Sequence, residues 1–278
     1  MILVTGATGN VGREVVDQLL AAGHDVRALT RDPGTARLPG GVEVAAGDLT
    51  RPETLPAALD GATAVFLFPV PGSAPAFLKA AKDAGVRRVV LLSSMAVDDD
   101  AEVQSNPIAA FHAVIEDAVA RSGLEWTFLR PGAFAANSYQ WAEQAKAGDV
   151  VRVPFPGAVT APIDEADIAA VGVRALTEDG HNGAKYTLTG PEQLTQTDQV
   201  RIMGEALGRP LRLEELPAEV ARERMIKHTP AEIVDTFLNM FAKLVGGEAL
   251  VTGTVQQVTG HPARTYAEWA QTHANAFR

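Results

Sequence analysis

"VTGATGNVGREVV" occupies residues 4–16. The apolar residues Met1 to Val4 run into glycines at 6, 9 and 12, and a helical pattern follows. Val11, Val15, Val16, Leu19 and Leu20 share one stripe of a helix expected over Val11 to Ala22, with Gly23 as its stop. Glycines between a buried strand and a helix let the chain turn tightly and bring backbone amides close to a phosphate, and the helix N-terminus adds its dipole. Gly6, Thr8, Gly9, Asn10, Val11 and Gly12 are therefore candidate binding residues for a phosphate-bearing cofactor. Gly12, lacking a Cβ, is expected to let the helix lie close on the sheet. The Gly-x-x-Gly-x-x-Gly spacing ends in no Gly-Lys-Ser/Thr, so a P-loop is excluded.

Outward from this turn, strand-like and helix-like segments alternate. "MILVT", "DVRALT", "VEVAA", "TAVFLF", "RRVVLLS" and "EWTFLR" read as strands. The intervening helices include one opening at Thr50 with a capping box to Glu53, "APAFLKAAKDAG" and "PIAAFHAVIEDAVARSG". Such alternation predicts an α/β fold, a Rossmann-type doubly wound parallel sheet. After Pro131 the rhythm breaks. Residues 1–130 are read as the dinucleotide-binding core and 131–278 as a smaller mixed C-terminal lobe, with 164–190 returning to the sheet. In the lobe, "NSYQWAEQAKAG" reads as a helix, and residues 217–245 as one helical stretch with Phe237, Met240 and Phe241 as core. Asp164 and Asp167 look like helix caps, and Asp98 to Asp100 like a solvated charge run.

The 278-residue chain has a net charge of −10 and no basic stripe, which argues against nucleic acid as a partner. It has no cysteine, and its six histidines form no zinc-ligand spacing, so no metal site is predicted. There is no run of 18 apolar residues, so no membrane association is predicted and a cytoplasmic location is expected. The expected partner is a small-molecule substrate, with a homodimer or a protein partner as further options.

The end of the second strand selects the dinucleotide. An acid there binds the ribose 2′-hydroxyl of NAD, whereas an arginine accommodates the 2′-phosphate of NADP. Here the strand ends in Thr30 and Arg31, with Asp32 one step further into the loop. This favours NADP(H), with NAD(H) as second choice. Asp48 of "GDLT", followed by Leu49, either meets the adenine amine or forms an Asx turn. By the switch-point rule, the carboxyl ends of the strands line the crevice, which places Phe68, Pro131, Gly132 and Phe134 near the cofactor.

Together, "VTGATGNVG", "ALTR", "GDL", "LLSS" and "GLEWTFLRPGAF-AN" resemble the NmrA-like family of atypical short-chain dehydrogenase/reductases. The resemblance implies a Rossmann domain, a C-terminal lobe and a cleft between them. It includes both small-molecule reductases and regulators that bind the dinucleotide without turnover. Active enzymes of the wider superfamily carry Tyr-x-x-x-Lys on the helix after the fifth strand, and no such pair exists in this chain. Its positions fall on Ile108 and His112, with Glu116 one turn further in the same column. Ile108 cannot transfer a proton. His112 is the candidate ribose ligand or acid, and the adjacent Glu116 is expected to raise its pKa; the alternative is a plain helix histidine paired with Glu116. Ser93 and Ser94 stand where the superfamily has its substrate-orienting serine, so Ser93 joins the cofactor set. Met95, Asn137, Trp141 and Phe155 are the candidate substrate residues. The main expectation is an NADPH-dependent reductase of a flat, electron-poor, quinone-like substrate. The alternative is a non-catalytic NADP(H)-binding redox sensor acting through a protein partner.

Overall fold

The computed structural model describes residues 1–278. Strands β1 (Ile2–Val4), β2 (Val26–Thr30), β3 (Glu43–Ala46), β4 (Ala64–Leu67), β5 (Arg88–Leu92) and β6 (Glu125–Pro131) lie in one parallel sheet. β7 (Val150–Val153) and β8 (Val159–Thr160) lie outside it, and β9 (Ala184–Leu188) completes it in the order β3-β2-β1-β4-β5-β6-β9. Alternate residues feed opposite faces. Val4, Ala28, Phe66 and Val90 pack with helices α1 (Asn10–Ala21) and α6 (Glu165–Thr177). Leu3, Leu29, Val65 and Leu91 pack with α2 (Leu55–Leu59), α3 (Ala74–Asp83) and α4 (Pro107–Ala120). Burial on both faces explains why the strands read as nearly continuous apolar runs.

The lobe holds α5 (Ala142–Ala147), α7 (Gln196–Leu207), α8 (Ala218–Met225), α9 (Ala231–Lys243) and α11 (Tyr266–His273), with α10 (Thr254–Thr259) back against α6. Two small ladders, β8 with β10 (Leu194–Thr195) and β7 with β11 (Arg212–Glu215), brace it. Trp269, Tyr266, Phe277 and Trp141 form its core.

Several local expectations are corrected. Thr50 does not open a capping box with Glu53. Its amide and hydroxyl both donate to Asp48 at 2.8 Å, Glu53 pairs with Arg51, and a 3-10 turn over Pro52–Thr54 precedes α2. The segment Ala135–Trp141 is likewise 3-10 before α5 begins. Residues 217–245 form two helices, because Pro230 starts α9. Val234 and Leu238 are the buried residues of α9, whereas Phe237 and Phe241 are half-buried and Met240 is exposed. The helix therefore turns a different apolar face inward than its aromatic residues suggest.

The N-terminus of α6 is the joint between sheet and lobe. Asp164 caps it by accepting from the Ala166 amide at 2.9 Å and pairs with Arg264 at 2.8 Å. Asp167 is not a cap; it accepts from the Arg264 amide at 2.7 Å, just before α11. Buried Glu165 accepts from the Trp269 indole at 3.0 Å, and Tyr139 bonds His273 at 2.7 Å beside it. Burial, with the Asp164 carboxylate adding to it, pushes the Glu165 carboxyl up to about 7. A carboxyl raised in this way stabilises the fold fully below its ordinary value, and that contribution fades as pH rises through about 7. Glu165→Gln should therefore match the parent near pH 4. Near pH 8 it should be more stable by on the order of 2 kcal/mol in denaturant titrations. Equal midpoints at both pH values would show that Glu165 ionises without cost.

Candidate cofactor and substrate site

The glycine turn is built from contacts that admit no side chain. Gly6 has φ +63°, and a Cβ on it would stand 2.8 Å from the Phe68 Cβ. A Cβ on Gly12 would stand 2.1 Å from the Gly6 carbonyl oxygen. Gly12 thus admits the helix to the turn itself rather than to the sheet, which corrects the expected reason for this glycine. Gly9 is the N-cap and offers no side-chain acceptor, so the first amides of α1 remain open to an anion. Thr8, Gly9 and Asn10 are exposed, while Val11 and Gly12 are buried beneath them. Thr5, which the sequence reading passed over, stitches the turn to β4. Its hydroxyl donates to the Phe66 carbonyl at 3.1 Å and accepts from the Phe68 amide at 2.7 Å. Phe68 itself is exposed at the rim of the turn.

At the end of β2, the Thr30 hydroxyl accepts from the Asp32 amide, and Asp32 accepts from the Gly34 amide at 3.0 Å. Asp32 is thus committed to its own turn. Arg31 is exposed and enters no ion pair. Asp48 forms an Asx turn with Thr50, which holds its carboxyl below the ordinary value. Leu49 is buried under α2 and presents only backbone to this rim.

The β5 and β6 ends are sewn together. Ser93 donates its amide to the Leu129 carbonyl at 2.7 Å, and Met95 donates to Pro131 at 3.0 Å. A Cβ on Gly132 would stand 2.6 Å from the Met95 sulfur, so the bare glycine seats that side chain. Met95 and Asn137 are exposed, and Phe134 is half-buried with its backbone bridged to Ile163. Trp141 is not part of this rim: it is 3% exposed, inside the lobe core, so it is withdrawn from the substrate set. Phe155, at φ +55° between two prolines, packs under the α8–α9 pair. Gln196 holds it there by donating to the Pro154 and Phe155 carbonyls at 2.7 and 3.0 Å.

The α4 column departs from expectation most. Glu116 does not pair with His112. It is 5% exposed, accepts from the Ser93 hydroxyl at 2.5 Å and is gripped by Arg130 at 2.5 and 2.9 Å. Arg130 also reaches Asp99 at 2.7 Å, and Lys185 reaches Asp99 at 2.6 Å. Asp99 is exposed, as a charge run on a loop should be, yet it is paired, and hydrogen bonding from Arg130 holds its carboxyl down to about 2. With Glu116 so occupied, burial dominates at His112 and pushes its imidazole below the ordinary value, opposite to the expected direction. No residue type at 99, 130 or 185 announced this network, since its members lie on a loop and two strands far apart in sequence.

A model of an NAD(P)H-binding family matches residues 6–179. The chain is 42% identical over 283 residues to a (4-alkanoyl-5-oxo-2,5-dihydrofuran-3-yl)methyl phosphate reductase of Streptomyces griseus, covering 100% of this chain and 99% of the relative. It is 38% identical over 286 residues to an NAD(P)H azoreductase of Xenophilus azovorans, again covering 100% and 99%. Among solved structures, the NADPH complex of an Escherichia coli quinone oxidoreductase, QOR2, superposes with a TM-score of 0.81 at 25% identity, covering 98% of this chain and 99% of that one. The glycine turn with its uncapped helix, the seven-stranded sheet and these full-length likenesses agree: the chain belongs to the NAD(P)H-binding family of reductase-like proteins.

Proposed function

We propose that this chain is an NADPH-dependent reductase of small, flat, electron-poor acceptors, quinones foremost. One observation carries the reading. The end of β5 lacks the acid that the resemblance leads one to expect, because Ile108 stands at the tyrosine position and the Ser93 hydroxyl is spent on Glu116. An isolated ketone needs a proton at its oxygen as hydride arrives. A quinone or an azo compound spreads the charge over a conjugated system and takes its proton from water. The related azoreductase, quinone oxidoreductase and oxo-dihydrofuran reductase bear names of conjugated acceptors, which supports the same choice.

NADPH supplies the hydride when bound. In this reading Gly6, Thr8, Gly9, Asn10 and the open amides of α1 hold the diphosphate. Arg31, unpaired while Asp32 is occupied, faces the 2′-phosphate. Phe68, Met95 and Phe134 give the acceptor soft, flat surfaces. The protein's contribution is proximity and orientation.

Purified protein should oxidise NADPH in the presence of a quinone panel. Tight binding without turnover on any acceptor would instead favour a redox sensor. Arg31→Ala should weaken NADPH by roughly ten- to a hundredfold and NADH little, by calorimetric titration. Equal losses would show that Arg31 does not read the phosphate. Gly9→Val should abolish NADPH binding while the melting temperature changes little, since a branched side chain would occupy the open face of the turn. Gly132→Ala should displace Met95 and raise KM for the acceptor with NADPH affinity unchanged; a KM equal to the parent's would remove Met95 from the substrate surface.

A further inference from the structure

Resting on the reductase reading, we propose that His112 is held as a neutral imidazole protonated on Nε2, presenting a fixed N–H donor to an oxygen of the bound reactants. The argument begins with its place. Glu116 meets Ser93 at the carboxyl tip of β5, and α4 runs back from that edge. His112 lies about one helical turn nearer the open end on the same column, a rise of about 6 Å from Glu116. Its ring is half-buried edge-on to Phe111, with centroids 4.9 Å apart.

The two ring nitrogens have different surroundings. Nδ1 is sealed from solvent and has no hydrogen-bond partner. Nε2 is bonded to nothing in the protein and is not among the sealed atoms, so it is the ring nitrogen left open to a ligand or solvent. An orphaned buried N–H forfeits the strong water bonds of a donor, and an imidazolium would orphan such a donor at Nδ1. The tautomer that leaves Nδ1 as a bare lone pair is the least costly. It places the proton on Nε2. Glu116 cannot reverse this by drawing the ring into a charged pair, because Arg130 and Ser93 already occupy both its oxygens.

The acceptor is a neutral hydroxyl or carbonyl oxygen. Two sources share that chemistry, a ribose hydroxyl of the cofactor and the reducible oxygen of the substrate, and the experiment separates them. The first readout is free of turnover. Nitrogen-15 spectra of the ligand-free protein, with His112 assigned by its absence in His112→Gln, should show the Nε2–H tautomer throughout about pH 6 to 8. A Nδ1–H pattern or an imidazolium over that range would overturn the proposal. The second readout uses geometry. The amide nitrogen of Gln sits where Nε2 does, and that of Asn where Nδ1 does. His112→Gln should retain parental behaviour within about twofold, while His112→Asn and His112→Phe should lose about five- to tenfold. A loss in NADPH affinity assigns the ribose; a loss in kcat at unchanged affinity assigns the substrate oxygen. Equal behaviour of Gln and Asn variants, each folded by its melting curve, would overturn the donor role. If the parent turns over no acceptor, the reductase reading fails, yet the spectra and NADPH affinities still decide the tautomer.

Discussion

The Gly6 carbonyl oxygen lies so close to the Cα of Gly12 that a single methyl group would stand 2.1 Å from it. The first helix starts where it does because nothing occupies that space. From this contact follow the tight exit from β1, the exposure of Thr8, Gly9 and Asn10, and the direction in which the open amides of α1 point. Thr5 and Phe68 complete the seat from β4, so the turn is fixed from both sides by backbone and by one hydroxyl.

A second constraint organises the other end of the crevice. Arg130 is buried with Glu116 and satisfies it through two bonds, while Asp99 completes its hydrogen bonding at the surface. A buried carboxylate without such a partner costs several kcal/mol, so removing Arg130 would leave a far worse site than one without the pair. The result is a serine whose hydroxyl is turned inward and a histidine on which burial outweighs the nearby Glu116 charge. The chemistry available at the end of β5 is set as much by what the network consumes as by what it presents.

The sheet was legible in the sequence because its signals are local. Apolar runs, glycine stops and the Gly6–Gly12 turn each speak within a dozen residues, and parallel connectivity follows from handedness. The positions of Thr30, Arg31 and Asp48 were legible for the same reason, since they close adjacent strands. The surroundings of the α4 column were not. Glu116 could be placed on the right face of α4, but a helix count cannot see Arg130 on β6 or Lys185 on β9 competing for the neighbourhood. The sign of the His112 shift was therefore misjudged. Trp141 was misplaced because an aromatic residue after a switch-point loop reads alike whether it faces a cleft or a core. The split of 217–245 was written in Pro230, whose weight against a strong helical period was underestimated.

Asp99 meets Lys185 across 86 residues, and Arg130 joins them from the strand between. The loop that carries Met95 is thereby tethered to the last strand the sheet acquires. During synthesis the glycine turn and the first five strands can assemble while β9 is still unmade. The loop beside Ser93 gains its anchor only after residue 185 has emerged. The two ends of the crevice thus gain their fixed geometry at different times, the glycine turn from contacts within the first 70 residues and the loop beside Ser93 only once β9 has joined.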